Sequence, residues 1–358
     1  MTASAPRREL RVSIPIGTPG GPATDWDEMS DYVVEAERLG VHSVWSAEAW
    51  GYDAVTPLAY LAAKTSRIFL GSGIIQAGTR TPALVAMTAM SLAAMSGDRF
   101  LLGLGVSGPQ VIEGWHGIPF KQVLQRMRET IEIARLAASG ERLHYEGKVY
   151  QLPLPGGQGK ALRSSARPIQ RLPVYLATLS PRSLEMTGEL ADGWLGTSFL
   201  PERADVFFDH IAKGAAAAGR SLADIDLQAG GVVAFADDVE RLIGPRKPGL
   251  AFTLGAMGSR EQNFYNAAFR RAGYEDIALE VQRLWLDGKR EEASALVPDK
   301  LVLKTNLLGT DETVKERIRA YRDGGVTTLR VDPAGKSAKE RIETLERFVG
   351  LVSEVNRE

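Results

Sequence analysis

Hydrophobic and polar positions along this chain follow two alternating periods. Short apolar runs at 10–16, 41–47, 67–75, 99–106, 172–177, 193–197, 225–235 and 326–331 read as strands. The segment 25–39 repeats Met29, Tyr32, Val33, Ala36 and Leu39 at helical spacing, and Gly40 closes it. Further helices are expected at 56–64, 82–95, 121–138, 183–190, 201–218 and 338–355. The strands are apolar nearly throughout, as strands covered on both faces are. Strict strand–helix alternation means a parallel sheet, and eight such units close into an α/β TIM (β/α)8 barrel.

Two segments exceed the minimal barrel, one after strand four and one after strand seven. Residues 140–171 carry Gly156-Gly157, several prolines and the alternation HYEGKVYQL, which reads as a short hairpin plus a loop. Residues 261–304 are helical in character and precede the last strand. No internal repeat or low-complexity linker divides the chain, so residues 1–358 are expected to form a single domain.

Composition narrows the chemistry. Lys+Arg 43 against Asp+Glu 44 leaves net −1, which argues against a nucleic-acid partner. Cysteine is absent, so disulfides, thiol catalysis and Cys-ligated metals are excluded. No two of the four histidines have metal-ligand spacing, so no metal is expected. The start, MTASAPRREL, has no apolar core of a signal peptide, and the apolar stretch around 83–95 is too short and too polar for a membrane span. The expectation is a cytoplasmic enzyme with no membrane partner.

In a barrel of this kind the reactive groups lie at the C-terminal ends of the strands. Strand one ends in Gly17-Thr18-Pro19-Gly20-Gly21, a tight turn. Strand two ends in SAEAWGYD, which offers Glu48 as an acid/base or polar anchor and Trp50 and Tyr52 as walls; Asp53 reads as a helix cap. Strand three holds Gly71 and Gly73, marks of a bulge or of close ligand approach. Arg80 reads as the partner of a carboxylate, and Thr81-Pro82 as a helix start. Strand four runs into Gly103-Leu-Gly105-Val-Ser-Gly108, which fits a dinucleotide fingerprint by letter but is followed by Pro109 rather than a long helix. Glu113, Trp115 and His116 come next, whereas His42 lies within strand two and reads as a packing residue. Strands five and six end in small hydroxyl residues, Thr178 and Ser180, then Thr197 and Ser198, suited either to an anion or to helix capping. Ser-His-Asp spacing is missing, which argues against a hydrolase.

These strand ends resemble the luciferase-like monooxygenase superfamily, in the branch that uses the deazaflavin coenzyme F420. That branch includes methylenetetrahydromethanopterin reductase and F420-dependent glucose-6-phosphate dehydrogenase. The likeness rests on SVWSAEAWGYDAVTPLAYLAAKTSRIFLGSGI, LAAMSGDRFLLGLGVSGP, LPVYLATLSPRSLEMTGELADGWLGTSF and LLGTDETVKERI before GVTTLRVDP. The resemblance implies a homodimer that transfers a hydride between the deazaflavin C5 and a small organic substrate. It implies a non-prolyl cis peptide at Gly73–Ile74 beneath the ring. By the same likeness Val106, Ser107 and Gly108 edge the ring, while Thr178, Leu179, Ser180, Gly196, Thr197 and Ser198 hold the phosphate. Glu48, Glu113 and His116 are then the candidate catalytic groups, and Trp50, Tyr52 and Trp115 the substrate walls.

The chain departs from its relatives at several of these positions. Leu179-Ser180 stands where some have two glycines, and Leu200 where some have a lysine; Arg203 offers a replacement charge. Glu48 stands where the sugar-phosphate dehydrogenases have histidine, and Gly108 where they have glutamate. Two alternatives remain: an FMN-dependent monooxygenase of the same superfamily, and a cofactor-binding barrel without turnover.

Overall fold

The computed structural model describes residues 9–17, 25–258 and 262–358. The turn at 18–21 and residues 259–261, expected near the site, lie outside the described residues, as do residues 1–8. Eight parallel strands close on themselves: Arg11–Ile16, Ser43–Ser46, Phe69–Ser72, Phe100–Gly105, Val174–Ala177, Gly193–Leu195, Asp226–Ala229 and Thr328–Arg330. The third strand resumes as Ile75–Gln76 and pairs again with the fourth. Helices Trp26–Arg38, Val55–Lys64, Pro82–Ser96, Val123–Ala138, Pro181–Leu190, Asp205–Ala217 and Ala338–Asn356 form the outer layer, each within a few residues of its expected span. Asp53 accepts from Val55 N and Thr56 N, and Thr81 caps the helix that Pro82 opens.

The expected long seventh strand is divided. At Gly230 a Cβ would overlap the Arg330 carbonyl, and at Gly231 the Thr305 carbonyl, so only glycine passes between these backbones. Beyond them Val232–Phe235 leaves the barrel and pairs with Leu307–Gly309 and Asp332–Pro333 in a second small sheet. The insertion before strand eight holds helices Lys247–Gly255, Phe264–Arg271, Glu275–Leu286, Arg290–Leu296 and Asp299–Thr305. Helix Asp311–Asp323 follows and was not expected from periodicity. The hairpin within 140–171 pairs Tyr145–Glu146 with Gln151–Leu152, and buried Glu129 holds its turn by accepting from the N–H groups of Lys148, Val149 and Tyr150. Among the described residues no helix is long and apolar enough to cross a membrane.

The barrel interior is layered. Toward the N-terminal end of the strands, Asp226 pairs with Arg11 at 2.7 Å and accepts from Thr327, Thr328, Gln228 and Tyr175. Arg11 also reaches the ring of His42, which burial and the Arg11 charge hold neutral, with its pKa lowered to about 4. His42 is therefore a packing residue, as its position within strand two suggested. Above this layer Trp45, Leu101, Tyr175 and Leu195 form an apolar plug, with Ile74 and Ala177 packed on top of it.

Candidate active site

The strand-end glycines create room for the plug and for a kink above it. A Cβ on Gly71 would enter the Trp45 ring, and one on Gly73 would press the Trp45 Cβ at 3.0 Å. Trp45 fills the space that these two residues leave. Gly103 lets the Ser72 carbonyl approach strand four, and the Ser72 hydroxyl donates to Gly103 O (3.0 Å) while accepting from Gly103 N (2.9 Å). The letters of a dinucleotide fingerprint thus have a steric origin here.

The register exposes what the glycines permit. Gly71 faces Leu101 and Ile75 faces Leu104, so four steps on strand three oppose three on strand four. The extra residue is a β-bulge, a device that re-aims a side chain and is common beside active sites. The Gly73–Ile74 peptide within it is cis, as the resemblance implied. Gly73 and Ile74 are half-buried between fully buried neighbours, so the bulge opens onto the strand ends. A Cβ on Gly105 would sit 3.0 Å from Ile74 Cγ1, so Gly105 makes room for that side chain. The result is a small apolar platform on the barrel axis.

Glu48 is not a free acid. Both its oxygens accept from the Arg80 guanidinium (2.6 and 2.7 Å), and Oε2 also accepts from Ala54 N. It clamps the loops after strands two and three, aided by Gln76, whose amide donates to Ala49 O. Of the two roles read from the sequence, acid/base or polar anchor, the bidentate ion pair fits the anchor, and it is the carboxylate pairing expected for Arg80. Glu113 is exposed and accepts from Phe120 N, which fastens its own loop. His116 is exposed in the same loop.

The wall residues divide. Trp50 and Trp115 are 50% and 65% exposed at the loop tips. Tyr52 turns to Trp26 (ring centroids 5.0 Å apart) and lines a cavity of about 350 Å³ between the first two helices. No cofactor-binding candidate lines that cavity, which corrects the placement of Tyr52. A larger cavity of about 970 Å³ lies outside the barrel, between strand one, the small sheet and the last helix.

Four of the anion-site candidates are spoken for within the protein. The Thr178 hydroxyl is buried against that of Thr187 (2.7 Å), and the Thr178 carbonyl accepts from the Trp194 indole. Gly196 donates to Gln228 O and accepts from Arg330, and its missing Cβ admits the Trp194 ring. Ser180 and Ser183 bond each other in a helix cap, and the carbonyl of buried Leu179 accepts from Arg271. Ser198 differs. Its backbone is left-handed (φ 55°) and its buried hydroxyl has no partner. Phe199, locked among Trp194, Phe207, Phe208 and Tyr321, fixes the loop in that conformation. Ser107, after strand four, is also left-handed (φ 57°). Such backbone costs about 1–3 kcal/mol per residue and gathers at functional sites.

A luciferase-like monooxygenase family profile matches residues 10–328. The chain belongs to the luciferase-like monooxygenase family. It is 38% identical over 320 residues to a Mycobacterium tuberculosis protein named "Putative coenzyme F420-dependent oxidoreductase", covering 87% of this chain and 92% of that one. It is 27% identical to 5,10-methylenetetrahydromethanopterin reductase of Methanolobus tindarius, over 89% and 94% of the two chains. The solved coenzyme F420-dependent tetrahydromethanopterin reductase of Methanopyrus kandleri superposes with TM-score 0.78 at 24% identity, over 94% of this chain and 97% of that one.

In this luciferase-like chain a cation missed by sequence reasoning reaches the strand-five loop. Arg271, at the end of inserted helix Phe264–Arg271, donates to Leu179 O (2.6 Å), and its buried Nε has no partner. Burial alone holds its pKa below the usual arginine value. Arg203, the charge expected from the sequence, is instead paired with Asp205 at 3.1 Å. Only the fold brings residue 271 beside residue 179, so no local signal marked it.

Proposed function

We propose that the chain is an F420-dependent oxidoreductase that transfers a hydride between the deazaflavin C5 and a small organic substrate. The observation that carries this is the bulge, which raises Ile74 as an apolar seat at the strand ends. The unpartnered Ser198 hydroxyl and Arg271 Nε supply donors for an anionic tail, so the residues present fit the cofactor. The names of the relatives support the choice of F420. When bound, the deazaflavin supplies two-electron hydride chemistry, and the protein supplies position and exclusion of water. Ile74 backs one face of the ring, and the Ser107–Gly108 backbone borders its edge. Arg271 and Ser198 fix the tail, and the Glu48–Arg80 clamp holds the two loops that frame the substrate side. The resemblance supports a cytoplasmic homodimer as the working form.

Arg271→Met is expected to weaken F420 binding about 10- to 100-fold, the loss of charge-assisted bonds worth about 1.5–3 kcal/mol. Quenching of F420 fluorescence measures it, and an unchanged affinity removes Arg271 from the site. Turnover is tested by following reduced F420 against a panel of carbonyls, imines and activated alkenes. Tight cofactor binding with no oxidation across the panel would favour a barrel that binds without reacting.

A further inference from the structure

The mouth holds a second cation without a counter-charge among the described residues. Arg330 is the last residue of strand eight. Thr328, two residues earlier, points into the barrel, where its hydroxyl bonds Asp226 at 2.7 Å. Side chains two apart on a strand share a face, so Arg330 also points inward, one layer nearer the mouth. Its guanidinium crosses to the end of strand six and donates to Gly196 O at 2.6 Å. That bond uses one of five donors. No carboxylate acts on it among the described residues; the charged or titratable group close enough to interact is the Tyr265 hydroxyl, from inserted helix Phe264–Arg271. Neighbouring Asn266 is buried with bonds to Leu254 O and Ala278 O. Burial lowers the pKa of Arg330 and raises that of Tyr265.

Other buried arginines show what a structural guanidinium looks like in this fold. Arg99 is buried and donates to Ser96 O, Ile68 O, Thr65 O and the Thr65 hydroxyl. Arg11 has Asp226 and Arg80 has Glu48. Among the described residues Arg330 has one carbonyl. An uncompensated buried charge is strongly destabilising unless another partner meets it.

We propose that Arg330 is the recognition site for an oxyanion, carboxylate or phosphate, carried by the substrate. This rests on the reading of the mouth as the cofactor site. The guanidinium fork binds the two oxygens of such a group side by side. The substrate class is accordingly a small acid or phosphate ester, held by its anion while its reducible carbon lies over the cofactor.

The test uses F420-loaded protein titrated by calorimetry with benzoate, phenyl phosphate and neutral benzamide. Wild type is expected to prefer at least one anion over benzamide by about tenfold or more. Arg330→Met is expected to abolish that preference while F420 affinity stays within about twofold, and Arg330→Lys to retain part of it. Preference for phenyl phosphate identifies a phosphate ester and preference for benzoate a carboxylate; either supports the proposal. Equal binding of all three probes, or no measurable anion binding, overturns it. So does an Arg330→Met protein that keeps its anion preference but loses F420. Unfolding curves of the variants separate misfolding from lost recognition. If wild type fails to bind F420, the cofactor reading falls instead, and the same probes applied to the cofactor-free protein still report on Arg330.

Discussion

Replacing Asp226 with alanine is expected to cost about 3–5 kcal/mol of stability, because buried Tyr175, Gln228 and Thr328 each lose an acceptor at about 1–3 kcal/mol apiece. The carboxylate is the shared acceptor of Arg11, Thr327, Thr328, Gln228 and Tyr175. Its removal leaves Arg11, whose side chain is 39% exposed, without its counter-charge, and leaves the buried Tyr175 phenol without its bond. The double variant Asp226→Ala/Arg11→Met should recover part of the loss, because the orphaned charge goes with its partner. Burial pushes the Asp226 pKa up, but Arg11 and the hydroxyl and amide donors outweigh it, so the net shift is downward. A carboxyl lowered on folding stabilises above its unfolded value of 3.8, and that contribution fades as pH falls through the folded value. The gap between wild type and Asp226→Ala should therefore narrow in acid. Urea unfolding at pH 7 and in acid measures both, and a loss below about 1 kcal/mol at pH 7 would contradict the layered interior described here.

Gly103→Ala carries the second large effect. The new methyl would overlap the Ser72 carbonyl, and that carbonyl cannot retreat while the Ser72 hydroxyl bridges both Gly103 backbone groups. Forcing a group into packed space costs about 1–3 kcal/mol, and a backbone obstacle puts this site at the upper end. The bulge would flatten or shift, so cofactor binding should fall with stability. Gly350→Ala is the control. It lies in helix Ala338–Asn356 with nothing within 4 Å of the new Cβ, and should gain about 0.5–1 kcal/mol. Unfolding midpoints and F420 titrations of the two variants give the comparison. A Gly103→Ala protein with wild-type stability and binding would remove the steric reason for the bulge.

Barrel strands and outer helices were legible because each has one dominant period. The long apolar run 225–235 was not, because periodicity cannot see that Gly230 and Gly231 squeeze between the Arg330 and Thr305 carbonyls. The strand Leu307–Gly309 was missed because it pairs with a segment far from it in sequence. At the strand ends, the sequence could not show which hydroxyls and carboxylates the protein itself engages. Thr178 looked like an anion donor until the fold turned its hydroxyl to Thr187, and Glu48 looked like an acid until Arg80 closed on it. Arg271 and Arg330 were passed over because an arginine in a helix or at a strand end is ordinarily paired. That no described residue offers either of them a carboxylate becomes visible only in the folded chain.

The most direct measurement is a side-by-side titration of the purified protein with F420 and FMN, read by absorbance and fluorescence. The account predicts saturable binding of F420, weaker binding of FMN, and loss of F420 affinity in Arg271→Met. Tight FMN binding with no F420 binding would contradict it and return the chain to the oxygen-using side of its family.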